Sequence, residues 1–101
     1  MIAATTLAYQ SKTVTVGVAV VQLIGPSPRR KRLEFRVSTS GRVTVHNLAG
    51  VTLDSAVTLL SVTYPLILSF EDHGDAVRQD WFAIADAASQ VVSIVEIIDA
   101  G

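Results

Sequence analysis

The stretch of this sequence most able to do chemistry is EDHGD, Glu71 to Asp75, which sets three carboxylates and an imidazole within five residues. Oxygen-rich loops of that kind can hold calcium, although the spacing matches no EF-hand loop. The plain alternative is a charged turn in which Gly74 takes a backbone conformation closed to other residues. A second stretch, PSPRRKR (Pro26 to Arg32), gathers Arg29, Arg30, Lys31 and Arg32 and could grip phosphate. It has no interleaved aromatic residues on which bases could stack, so nucleic-acid binding is disfavoured and a solvated loop or subunit contact is expected. Trp81 could be a stacking platform for a sugar ring, but such a residue more often belongs to a core or an interface. His46 is expected on the strand face opposite Val43 and Val45, solvated. No nucleophile elbow brings a serine, a histidine and an aspartate together, and no enzyme is expected. No catalytic residue, cofactor or metal is assigned.

The composition limits what could position these residues. A chain of 101 residues buries roughly two thirds of its unfolded surface, enough for one core. There is no cysteine, so within this sequence neither a disulfide framework nor a thiolate metal site can form. Hydrophobic residues make up 50% of the chain and charged residues 17%, against about 25% charged in an ordinary soluble domain. The mean hydropathy is +0.46. A membrane span needs about 20 mostly apolar residues in a row, and Thr, Ser and charges interrupt every run before that length. The leading MIAATTLAYQ lacks the basic and long apolar regions of a signal peptide, and reads as an arm or edge strand over residues 1–11 ahead of a domain over 12–101. The excess of apolar residues is then expected to be covered by neighbouring protein, in an oligomer or assembly.

Period-two alternation runs through most of the chain. Thr13 to Ile24 carries Val14, Val16, Val18 and Val20 on one face and reads as one strand. Gly25 to Pro28 breaks it. Arg32 to Val37 alternates charged and apolar residues. Arg42 to Leu48 resumes the pattern after a turn at Ser38 to Gly41, which suggests a hairpin. Val51 to Val62 is open between a helical stripe capped by Asp54 and extended structure; its β-branched residues favour strand and loop. Leu66 to Phe70 is a strand opened by Pro65. Trp81 to Ala85 and Val91 to Ile98, separated by DAASQ, read as a closing hairpin of buried strands. The expected fold is all-β: a single-domain β-sandwich or jelly-roll-like barrel of six to eight short antiparallel strands.

Charge is segregated along the chain. Up to Arg42 there are seven cations and one anion, net +6; from Val43 onward there are one cation and eight anions, net −7. Either subunits dock positive face to negative face, or strands from the two halves interleave and the poles cancel in space.

The run PSPRRKRLEFRV and the ending WFAIADAASQVVSIVE, with its aromatic-Ala-Ile-Ala, short turn and V-x-I-V-E pattern, resemble the small all-β virion proteins of tailed bacteriophages that decorate or cement the capsid. The resemblance implies a structural subunit on the capsid exterior, assembled in the host cytoplasm, trimeric, and seated on a major capsid protein without membrane contact. Its alternative is a small sandwich module that binds carbohydrate or nucleic acid within a larger assembly. In the virion reading the contact residues are Arg29, Arg30, Lys31 and Arg32 of the basic loop, Glu71, Asp72 and Asp75 of the acidic loop, and Trp81; the leading arm is a further candidate.

Overall fold

A computed structural model describes residues 7–39, 42–52, 59–60 and 65–99, the pair 59–60 by its backbone. The strands are β1 (Leu7–Val16), β2 (Val21–Ile24), β3 (Arg30–Val37), β4 (Val43–His46), β5 (Leu59–Leu60), β6 (Leu66–Ser69), β7 (Trp81–Ala85) and β8 (Gln90–Asp99). A short helix α1 (Phe70–His73) and a 3-10 turn (Gly74–Arg78) lie between β6 and β7. The strands form two antiparallel sheets, β1-β8-β3-β6 and β2-β7-β4-β5, as the period-two patterning requires. The protein is a β-sandwich.

The core lies between the sheets. Val16, Leu33, Phe35, Val92 and Ile94 of the first sheet face Leu23, Val43, Val45, Trp81 and Ala83 of the second, and all are buried. Phe35 and Trp81 meet across the layers with ring centroids 5.7 Å apart at a 51° tilt. Fully burying a large apolar side chain is worth about 1.5–3 kcal/mol, and an aromatic pair adds about 0.5–1.5 kcal/mol. This pair joins the two sheets through one aromatic contact.

Three local expectations are corrected. Thr13 to Ile24 is not one strand: β1 and β2 lie in different sheets, and the turn between them is held by Ala85 N donating to the Gly17 carbonyl at 2.8 Å. Val18 and Val20, expected on one strand face with Val14 and Val16, are 69% and 40% exposed at that turn. A straight strand of that length would span about 40 Å, whereas folding the chain over the top of the sandwich lets both halves bury an apolar face.

Neither expected hairpin forms. β3 pairs with β8 and β6 rather than β4, and β7 pairs with β2 and β4 rather than β8. After β3, Ser38 N donates to Val91 O (3.0 Å) and Val91 N donates to Thr39 Oγ1 (3.2 Å), which holds the departing chain against β8. Arg42 N then donates to Asp86 Oδ1 (2.9 Å) and Asp86 N to Arg42 O (3.1 Å), delivering the chain to the other sheet. Alternation sets which side chains face inward, but it does not name the pairing strand.

Third, EDHGD is not an open loop but the helical corner of α1 and the 3-10 turn. Ser69 caps α1, its Oγ accepting from Asp72 N at 3.2 Å while its hydroxyl donates to the Asp72 carboxylate at 3.1 Å. Ser-Phe-Glu-Asp is a variant of the capping box, and this signal in the sequence announces the corner. Gly74 follows with φ +59° and ψ −139°, as the turn reading of that glycine requires. Of the stretch 51–62, only β5 and the flanking Val51 and Thr52 are described; Leu53, Asp54 and Val57 lie outside the described residues, as do residues 1–6 of the leading arm. Residues 7–11 continue without interruption into the rest of β1.

Candidate interaction surface

The sequence-level sites separate into two regions. The first is the end of the sandwich where Gly25 to Arg29, the 3-10 turn and the last residues of β8 converge. Arg30, expected on a docking loop, is 1% exposed there. The β3–β8 register shifts between Arg30 and Arg32, and the irregularity places Arg30 on the inward face together with Leu33. Its Nε donates to Glu96 Oε2 at 2.8 Å, Nη1 to the carbonyls of Val77 (3.1 Å) and Gln79 (3.0 Å), and Nη2 to Gly25 O (2.6 Å). One guanidinium thereby ties together β8, the 3-10 turn and the proline-rich loop. Arginine suits the task because its planar fork carries five donors and stays charged when buried.

The surrounding contacts tighten the same end. Ser27 N donates to Arg78 O (2.9 Å), Arg78 Nε to Arg30 O (3.4 Å), and Trp81 Nε1 to Ala76 O (3.0 Å). The Arg78 guanidinium lies 3.8 Å from the centre of the Phe70 ring, with the Lys31 ammonium 5.8 Å from it. Trp81 is 5% exposed, a core residue whose polar edge is satisfied, so it offers no platform to a ligand. Of the proposed contact residues, Arg29, Arg32, Glu71, Asp72 and Asp75 are exposed and Lys31 is half-buried. Arg32 is already engaged, its Nη2 3.0 Å from Glu34 Oε1. At the acidic corner His73 Nδ1 accepts from Ser69 N (3.1 Å), so Ser69, Asp72 and His73 serve the helix cap. No group of three or more His, Asp or Glu placed to hold a metal occurs among the described residues. His46 is half-buried, with Nδ1 accepting from Leu48 N at 2.9 Å.

Interleaving also redistributes the segregated charge. β1 and β3, from the basic half, alternate with β8 and β6 from the acidic half, and Arg30–Glu96 joins the two halves directly. The two poles of the sequence therefore do not become two poles of the molecule.

The second region is the β1 side of the first sheet. β1 is an edge strand, paired only with β8 among the described residues, and Leu7 and Tyr9 on its outer face are 46% and 70% exposed. Opposite Tyr9 stands half-buried Ile97, Val95 follows two residues along, and Ile67 of β6 on the same face is 39% exposed. On the inner side a cleft of about 190 Å³ opens between β1, β2 and β8, lined by Gln10, Ser11, Lys12, Ile24, Ile94 and Glu96. Composition announced surplus apolar surface but not its place, because the same alternation describes a central strand and an edge strand.

Comparison with known proteins adds one likeness. No family model and no curated protein matches the chain. A solved structure of a Bacillus endospore appendage, described as one of a novel family of disulfide-linked pili, is similar in fold: the TM-score is 0.55 at 10% identity, over 98% of this chain and 93% of that chain. At that identity the likeness speaks for the β-sandwich fold.

Proposed function

We propose that this protein is a structural subunit that works by assembling with further protein, without catalysing a reaction. The observation that carries the proposal is the apolar outer face on the β1 side of a well-packed sandwich, where Leu7 and Tyr9, 46% and 70% exposed, adjoin half-buried Ile97 and Val95 of β8. Apolar surface that the fold could have buried and did not is characteristic of a surface that a partner covers. Two settings suit such a subunit. The sequence pattern supports capsid decoration on a phage head, with a trimer on a major capsid protein. The fold likeness to a pilus protein supports a subunit of a surface appendage, with one difference: the neighbour is described as disulfide-linked, whereas this sequence has no cysteine, so its contacts would be noncovalent.

Molar mass by light scattering across a hundredfold concentration range, with electron microscopy of the same samples, tests the proposal. Oligomers, rings or filaments that grow with concentration are expected. A monomer at every concentration, both alone and mixed with an assembled capsid or appendage, would remove it.

A further inference from the structure

We infer that the free edge of β1 is where two copies of this chain join, as an antiparallel β1–β1 pair about a two-fold axis that passes through Ser11. The inference rests on the assembly reading and names its contact.

The four sheet edges differ in how open they are. β5 has two described residues. β6 has four, bounded by Pro65 and by the capped helix α1. β2 has four, with a register shift between Gln22 and Ile24. Short strands, prolines and bulges are the usual ways of blunting an edge against pairing. β1 carries ten residues, no proline and no break in its ladder with β8, so one side of its backbone presents a long row of donors and acceptors with no partner strand among the described residues. The only described edge of matching length is another β1, and like edges meet in a two-fold pair.

The side chains choose the register. In an antiparallel pair, residues opposite one another share a face, so odd residues must meet odd and even must meet even. Centring on Lys12 would set two ammonium groups opposite each other, which is unfavourable. Centring on Ser11 avoids this, sets Lys12 against Gln10 of the partner subunit, and uses the whole of Leu7 to Thr15. Tyr9 then lies across from Thr13 of the partner subunit and Leu7 across from Thr15 of the partner subunit, covering the two exposed apolar residues of the strand. The result is one continuous eight-stranded sheet, β6-β3-β8-β1 followed by its two-fold copy.

The absence of native cysteine makes the test direct. Ser11→Cys puts two thiols on the axis, where Cα atoms about 4.5–5.5 Å apart suit a disulfide. Mild oxidation should convert most of this variant to a covalent dimer, while Arg36→Cys, exposed two strands away on the same face, should not cross-link. Ser11→Lys, a change at an exposed position, should leave the thermal unfolding curve in place and weaken association at least about tenfold, by placing like charges face to face. If wild type assembles but Ser11→Cys links no faster than Arg36→Cys, or if its unit is a trimer, the β1 pair is overturned and the assembly reading stands. A wild type that is monomeric at every concentration overturns the β1 pair, and the assembly reading falls with it only if the chain also fails to join an assembled capsid or appendage.

Discussion

The Arg30 end and the β1 edge lie in the same sheet and treat their polar groups in opposite ways. At the Arg30 end a cation expected at the surface is buried, with its donors spent on one carboxylate and three carbonyls. At the β1 edge, among the described residues, one side of the backbone has no partner strand, and Leu7 and Tyr9 are exposed. A buried charge is tolerated only where hydrogen bonds replace its water, and the Arg30 end supplies them within one chain. An edge strand is satisfied by water in the single chain, and in the proposed dimer it is the β1 edge that pairs with a neighbour. The contrast separates residues that hold the fold from residues free to serve association.

The largest effect expected from breaking this contrast is at Arg30. Arg30→Ala leaves Glu96 and three carbonyls without their donor and should destabilise the fold by about 3–5 kcal/mol in chemical denaturation. A loss under about 1 kcal/mol would show that this end is solvated and not locked. Gly74→Ala probes the same end through the backbone: open space surrounds the new methyl, but φ +59° with ψ −139° excludes an alanine. A cost of about 1–3 kcal/mol is expected in the same assay, and no change would mean that the corner can rearrange. Arg32 and Glu34 form the exposed counterpart to Arg30–Glu96, so a double-mutant cycle on them should give about 0–1 kcal/mol. A coupling as large as the buried pair's would erase the distinction drawn here between the inner and outer charges of β3. Smallest for folding is Tyr9→Ser, expected to shift unfolding by about 0.5 kcal/mol or less while weakening association measured by sedimentation. Equal loss of stability and association would return Tyr9 to the fold.

Much of the architecture was legible because alternation is a local signal. The faces of β3, from Leu33 through Phe35 to Val37, and the inward face of β7, Trp81, Ala83 and Ala85, follow directly from residue type. The hairpins were not legible, since adjacency in sequence competes with sheet-crossing links such as Ser38 to Arg42, and the contacts that decide, to Val91 and Asp86, lie more than forty residues away. For the candidate site, residue type was legible but exposure was not: Arg29 and Arg32 are exposed whereas Arg30, between them, is buried. Surplus hydrophobicity pointed to a covered surface, while the basic loop drew attention to Arg30, whose role depends on a strand irregularity invisible in the sequence.

By itself, then, the sequence determined an all-β fold, the inward residues of its regular strands and the absence of any disulfide within this sequence, because each follows from side-chain type and local spacing. Only the tertiary structure decided that Arg30 turns inward, that the two charged halves interleave, and that β1 is an edge strand, paired only with β8 among the described residues. Those outcomes depend on which distant strands pair, and pairing is set by the packing of the whole chain.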